Sequence, residues 1–244
     1  MINKLTLFII QIFDFFHKKK IINFLKNNNK YKFDIVLDIG AHYGESIELF
    51  LNHFKIKKIF SFEASPLNFK TLKMNHENLN KKFNNTKIII ENLATGNEDK
   101  LFSINQLDES SSSTLKKINT NSNYFKKKFF FLKKNKDGNL FYKLDIKMIR
   151  LQNYVTKNNI ENIDLMKIDT EGYENETILG LGDKIKNVKL IFFEHHYDNM
   201  IIKNYKFSDL HKTLVKNNFF QVFKVKMPLR KSFEYIYENA KKLN

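Results

Sequence analysis

Short apolar runs alternate with amphipathic stretches along most of this chain, and the alternation predicts strands and helices in turn. Asp34–Ile39 reads as a first strand, followed by a helix from Glu45 to His53. Lys58–Phe62 is a second strand that ends at Glu63, and Asn68–Asn80 is a second helix. Lys87–Ile90 is a third strand, ending near Glu91-Asn92-Leu93-Ala94. A helix from about Leu151 to Asn158 leads into a fourth strand, Ile163–Ile168. Asp169-Thr170-Glu171-Gly172 then turns into a helix that reaches about Leu179. A fifth strand, Lys189–Phe193, runs into Glu194-His195-His196. Ser208–Asn217 is helical, and Phe219–Lys226 with Phe233–Tyr237 makes a terminal antiparallel hairpin around Pro228. Strands separated by helices predict an α/β fold with a mostly parallel sheet.

The alternation breaks in the middle. Lys100–Asn105 and Leu140–Ile146 have period-two patterns and predict an inserted antiparallel β pair. Between them lie Ser110–Thr114 and a Lys/Asn-rich tail to Gly138. A connection of that length predicts either a mobile lid over residues 107–138 or a disordered Lys/Asn insertion.

At the other end, Leu5, Ile9, Ile12, Phe13 and Phe16 share one helical face. The apolar run is too short to span a bilayer, Gln11 and Asp14 interrupt it, and no small-x-small cleavage site follows. Residues 1–30 therefore read as a helical segment packed on one domain, 31–244. Residues 1–25 offer a second use, as a dimer contact or a membrane-surface helix with Lys18, Lys19 and Lys20 at headgroup level.

Charge changes the picture less than its size implies. The formal net charge is +16, yet of 42 basic residues only Arg150 and Arg230 are arginines. Nucleic-acid readers depend on the bidentate guanidinium, so a solvated lysine surface is the better reading, and no nucleic-acid partner is expected. Such a surface still favours acidic partners. The absence of cysteine excludes disulfides, zinc thiolates and a Cys nucleophile.

The candidate chemistry sits where strands end, because ligands of open α/β sheets bind at the carboxyl ends of strands. The first strand ends in Asp38-Ile39-Gly40-Ala41-His42-Tyr43-Gly44, a tight loop bracketed by two of the chain's seven glycines. Glu63 ends the second strand, where an acid can accept from both hydroxyls of a ribose. Asn92 and Ala94 end the third, Asp169 the fourth and His195 the fifth. Lys167 and Asp169 share a face of the fourth strand, and a lysine in a central strand needs a partner, Asp169 or Glu171. The loop lacks G-x-G-x-x-G, so no pyrophosphate cradle is evident. It looks like the nucleotide loop of a class I S-adenosylmethionine (SAM) methyltransferase.

The segments D-I-G-A-H-Y-G-E-S, F-E-A-S-P-L-N-F-K-T-L-K-M-N, N-L-A, S-S-S-S-T-L and I-D-L-M-K-I-D-T-E-G-Y-E-N-E-T-I-L-G resemble, in order, the motifs of the FkbM methyltransferases. The match runs from about Asp34 to Gly180, and its last segment is the most specific. The resemblance implies a Rossmann-like sheet and SAM as cofactor, held by Asp38, Gly40, Ala41, Gly44, Glu63, Ala64, Asn92 and Ala94. It implies O-methylation of a sugar, glycolipid or related metabolite, and the expected location is the cytoplasm or the inner membrane surface. The family usually has Asn where His42 stands and Pro where Ala64 stands; Pro66 keeps the later proline.

Lys167, Asp169, Glu171 and His195 are the expected catalytic set. Asp169 and His195 are the candidates for the base that takes the acceptor's proton. His195 has the better intrinsic pKa, with Asp169 orienting the acceptor or holding the imidazole tautomer and Lys167 neutralising the carboxylates. Asp169, Glu171 and His195 could also approach one another around a divalent ion, but the spacing does not show it and no metal site is assigned. The rivals are a non-catalytic SAM-fold binding module and an RNA methyltransferase. The latter is disfavoured, because the fifth strand ends in Glu194-His195-His196 rather than the lysine that ribose methyltransferases use there.

Overall fold

The computed structural model describes residues 2–27, 31–107, 113–132 and 141–242. In chain order the elements are α1 (Ile2–Asn27), β1 (Ile35–Ile39), α2 (Glu45–Leu51), β2 (Lys58–Phe62), α3 (Pro66–Lys82) and β3 (Lys87–Glu91). Then come β4 (Ala94–Gly96), β5 (Lys100–Leu107), β6 (Lys117–Ile118), α4 (Asn123–Leu132), β7 (Phe141–Arg150) and α5 (Leu151–Lys157). The chain continues with β8 (Ile163–Ile168), α6 (Glu174–Gly180), β9 (Val188–His196), β10 (Ile201–Ile202), α7 (Phe207–Lys216), β11 (Phe219–Lys226) and β12 (Ser232–Asn239).

The main sheet has seven strands in the order β11-β12-β9-β8-β1-β2-β3. β9, β8, β1, β2 and β3 run parallel, and β12 pairs antiparallel with both β9 and β11. This is the mostly parallel α/β sheet with a terminal hairpin that the sequence predicts. Chain order reverses between β1 and β8, which opens a crevice at their carboxyl ends.

The period-two rule sorts the core into two layers. Leu37, Ile39, Phe60, Met166, Ile168 and Phe193 face α5, α6 and α7. Val36, Ile59, Leu165 and Leu190 face the other way, onto Ile21 and Leu25 of α1, Ile47 and Phe50 of α2, and Leu72 and Leu79 of α3. Asp38, Lys167 and Asp169 belong to this second face by alternation.

The inserted pair is present. β5 and β7 run antiparallel from Lys100↔Met148 to Leu107↔Phe141, and β4 adds a third, parallel strand at Ala94↔Met148. The short β4 has no alternation to betray it in the sequence. Ala94, Ile104, Ile146, Met148 and Tyr173 form a small core that seats this sheet on the domain. Of the segment assigned to a lid, residues 108–112 and 133–138 lie outside the described residues, including Ser110–Ser112, and so does Leu140. The described remainder contains β6, which pairs with β10, and the helix α4.

The N-terminal helix corrects one expectation. Its inward side is His17, Ile21, Ile22 and Leu25, all buried, and Phe24 stacks on Phe223 of β11 at 4.5 Å. Phe13 and Phe16, expected to pack on the domain, are exposed instead. Phe16 lies roughly opposite Leu25 on a 3.6-residue helix, and Phe13 lies one turn before His17 at the edge of the inward side.

Candidate active site

A cleft that is open to solvent lies at the carboxyl ends of β1 and β8. Gly40, His42, Glu63, Ala64, Asp169 and Glu171 contribute to its wall. Phe62, Leu93, Ile104 and Leu115 supply apolar surface, and Asn68, Ala94, Thr170 and Ser113 also border it.

The first loop is built by close backbone approach. Gly40 has φ +80, and a Cβ there would lie 1.9 Å from the carbonyl oxygen of Asp169. β1 and β8 thus meet just before their chains diverge, with the Asp169 amide donating to the Ile39 carbonyl at 2.9 Å. His42 follows at φ 49. Asn and His are among the residues that tolerate this region best, which makes the departure from the family's usual Asn a mild one. Gly44 caps α2 in a left-handed conformation and packs against Leu72 and Leu79, away from the cleft.

Glu63 is the anchored acid of the site. One carboxylate oxygen accepts from the His42 amide at 2.8 Å. The other accepts from the Ser65 amide at 2.9 Å and from the Asn68 side chain at 3.4 Å. Burial raises its pKa, and these donors act against the rise. Ser65 also caps α3, accepting from the Asn68 amide at 3.2 Å with Pro66 in the first helical turn. Asn92 does not border the cleft. Its side chain donates to the Glu63 and Ala64 carbonyls at 2.8 and 3.3 Å and holds that turn from behind.

Beneath the loop lies a buried charge pair. Asp38 stands opposite Lys167 in the β1–β8 register, and Lys167 Nζ is 3.4 Å from Asp38 Oδ1 and 3.6 Å from Asp169 Oδ2. The ammonium also donates to the Gly40 carbonyl at 3.0 Å. Burial works against the Lys167 charge, but Asp38 and Asp169 outweigh it and raise the pKa above the ordinary lysine value. Ser46 donates to the other Asp38 oxygen at 2.7 Å. Asp38 and Ala41 are therefore buried supports of the loop, outside the cleft wall.

The turn after β8 carries backbone strain. Glu171 has φ 49 and Gly172 φ 97. Strain of this kind in a non-glycine residue clusters at functional sites. Thr114 donates to the Glu171 carbonyl at 2.6 Å, which ties the described end of the long connection across the cleft. Glu174, buried under the turn, accepts from the Gly172 amide at 2.7 Å, from Thr170 at 3.2 Å and from Tyr205.

The two histidines at the end of β9 have opposite surroundings. His195 is buried among Tyr197, Tyr205 and Phe207, away from the cleft wall. Burial, then the charges of Lys203 and His196, push its pKa down to about 3. His196 points to the other face, with Nε2 3.2 Å from Glu171 and 3.3 Å from Glu194, and Nδ1 3.4 Å from Asp198. Burial opposes its charge, but Glu171 and Glu194 overcome this and raise the pKa to about 10. The sequence signal for this cluster is the period-two series Glu194, His196, Asp198. Asp198 borders a second, polar cleft with Asn123, Tyr124, Tyr197, Asn199 and Lys231. Among the described residues, no group of three His, Asp or Glu side chains is arranged to hold a metal ion.

A sequence model of the methyltransferase FkbM domain matches residues 38–221. The chain belongs to the FkbM methyltransferase family. SAM is accordingly its cofactor. No curated protein matches the sequence. The fold is similar to that of an FkbM methyltransferase from Methylobacillus flagellatus KT, with a TM-score of 0.55 and 12% identity over 85% of this chain and 44% of that one. The chain thus spans less than half the length of that relative. It is also similar to magnesium protoporphyrin IX methyltransferase from Synechocystis PCC 6803, solved with bound SAM. There the TM-score is 0.52 and the identity 9%, over 95% of this chain and 82% of that one.

The residues present fit the cofactor. An anchored carboxylate, Glu63, borders a cleft whose apolar walls, Phe62, Leu93, Ile104 and Leu115, suit a flat ring. The polar groups Asp169, Thr170 and Glu171 stand at the same cleft's wall on the β8 side.

Proposed function

We propose that the chain is a SAM-dependent O-methyltransferase acting on a hydroxyl of a sugar, glycolipid or related small molecule. The observation that supports this most is Glu63, fixed by two backbone amides at the wall of a cleft at the sheet's switch point. In this reading Glu63 accepts from the ribose hydroxyls and Ala64 and Ala94 line the adenine side. Asp38 and Lys167 hold the loop in place from below. When bound, SAM supplies an electrophilic methyl group on a sulfonium.

In this reading the reacting hydroxyl enters the first cleft beside Asp169, and the second cleft holds the rest of the acceptor. The tyrosines of the second cleft offer flat apolar faces, and its asparagines, Asp198 and Lys231 offer donors and acceptors for several hydroxyls. His196 stands between the two clefts, touching Glu171 on one side and Asp198 on the other. Asp169, half-buried at the wall of the first cleft, takes the acceptor's proton. His195 is assigned no such role, because an imidazole whose pKa is pushed down to about 3 is a weak base and this one lies off the cleft wall.

The test is methyl transfer from isotopically labelled SAM to saccharides and glycolipids, followed by mass spectrometry. Label in an ether-linked methyl supports the reading. Label in RNA, or SAM binding with no transfer to any acceptor, would assign the chain to the RNA-modifying or the non-catalytic alternative.

A further inference from the structure

The outward face of α1 is left unused by the cleft and by the core. Phe13, Phe15 and Phe16 are 43%, 63% and 55% exposed, and the rings of Phe15 and Phe16 contact each other at 5.6 Å. One turn further along the helix, Lys18, Lys19 and Lys20 are all exposed. Lys19 and Lys20 follow Phe15 and Phe16 by four residues, so charge and aromatic ring share a side. The β11–β12 turn is tied to the same helix. Arg230 reaches Asp14, which is flanked by Phe13 and Phe15, at 3.8 Å. The residue before Arg230 is Leu229, held at φ 59 and 72% exposed, and the residue after it, Lys231, is exposed too. Exposed aromatic rings and exposed lysines thus stand side by side on α1, and a turn with an exposed leucine tip is tied to the same helix.

We propose that this face seats the protein on an anionic membrane surface. Aromatic and leucine side chains enter the headgroup–acyl boundary, and the lysines pair with lipid phosphates. Charge selects the occupant. A second copy would bring the same lysines against each other on a chain of net charge +16, whereas an anionic bilayer neutralises them. The seating is interfacial, since no described helix is long and apolar enough to cross a membrane.

The test is flotation of the full chain with vesicles of phosphatidylcholine alone and with phosphatidylglycerol added. The expected result is binding to the anionic vesicles only, weakened by salt. Phe15→Ser with Phe16→Ser should weaken binding about tenfold or more through lost apolar burial, and Lys19→Glu with Lys20→Glu should abolish it. Melting temperature and SAM affinity should stay at wild-type values in both variants, because the residues are exposed and outside the cleft. Anionic-vesicle binding unchanged in both variants would overturn the proposal. So would a wild-type dimer that the phenylalanine variant converts to monomer without any vesicle binding, which would give the face to a second copy.

Discussion

Gly40 shows how narrow the tolerances of the first loop are. Its φ is +80 and an added Cβ would overlap the Asp169 carbonyl at 1.9 Å. Gly40→Ala should destabilise the fold by about 3 kcal/mol or more, combining backbone strain with overpacking, read as a fall in melting temperature. His195 and His196 make a second test. His196 keeps its proton to about pH 10 in the fold but only to about pH 6.5 when unfolded, so its stabilisation is full below 6.5 and is lost as pH rises towards 10. His195 is the reverse: with a folded pKa of about 3, it costs stability progressively as pH falls from 6.5 towards 3. Melting temperature against pH should therefore lose part of its alkaline fall in His196→Gln and part of its acid fall in His195→Asn. For the chemistry, Asp169→Asn should lower the methylation rate by about 10²–10⁴-fold, the scale for a positioned base, with His195→Asn within a few-fold of wild type. A rate that collapses in His195→Asn and survives in Asp169→Asn would reverse that assignment. At this scale strand ends were readable as sites because polar residues interrupt apolar runs there. The partner of Lys167 was only half readable: Asp169 is near in sequence, but Asp38 is its neighbour through the β1–β8 register, which no single strand contains.

The elements of the main sheet were legible because each is long enough to show its period. β1, β2, β3, β8 and β9 are apolar runs bounded by turns, and the β11–β12 hairpin alternates. The three-residue β4 and the two-residue β6 and β10 have no period to read, and they exist through tertiary pairing with β7 and with each other. α1 was legible as a helix, but not its orientation, since its Phe stripe and its Ile21–Leu25 side both look apolar in sequence. The connection over the cleft is held in its described part by Thr114, which bonds the Glu171 carbonyl and pairs with Asn105. Thr114→Ala should cost about 1 kcal/mol of hydrogen bonding there and raise the SAM dissociation constant severalfold. Hydrogen exchange at residues 113–116 should quicken in the variant and slow in the wild type when SAM is added. Exchange unchanged by SAM would mean that this segment does not close on the cofactor.

At the scale of the whole molecule, the sheet order places every assigned group relative to one crevice. The reversal between β1 and β8 puts Gly40, Glu63 and Asp169 around it, although they are far apart in sequence. His195, one strand beyond β8 at the end of β9 and turned to the opposite face from His196, falls outside. The central claim is that this crevice holds SAM with its ribose on Glu63. Calorimetric titration of SAM into the wild type and Glu63→Ala tests it most directly, with melting temperatures measured alongside. The account predicts that the wild type binds and that the variant, still folded, loses about 1–3 kcal/mol of binding free energy, the worth of hydrogen bonds to a charged group. A folded Glu63→Ala variant that binds SAM as tightly as the wild type would contradict it.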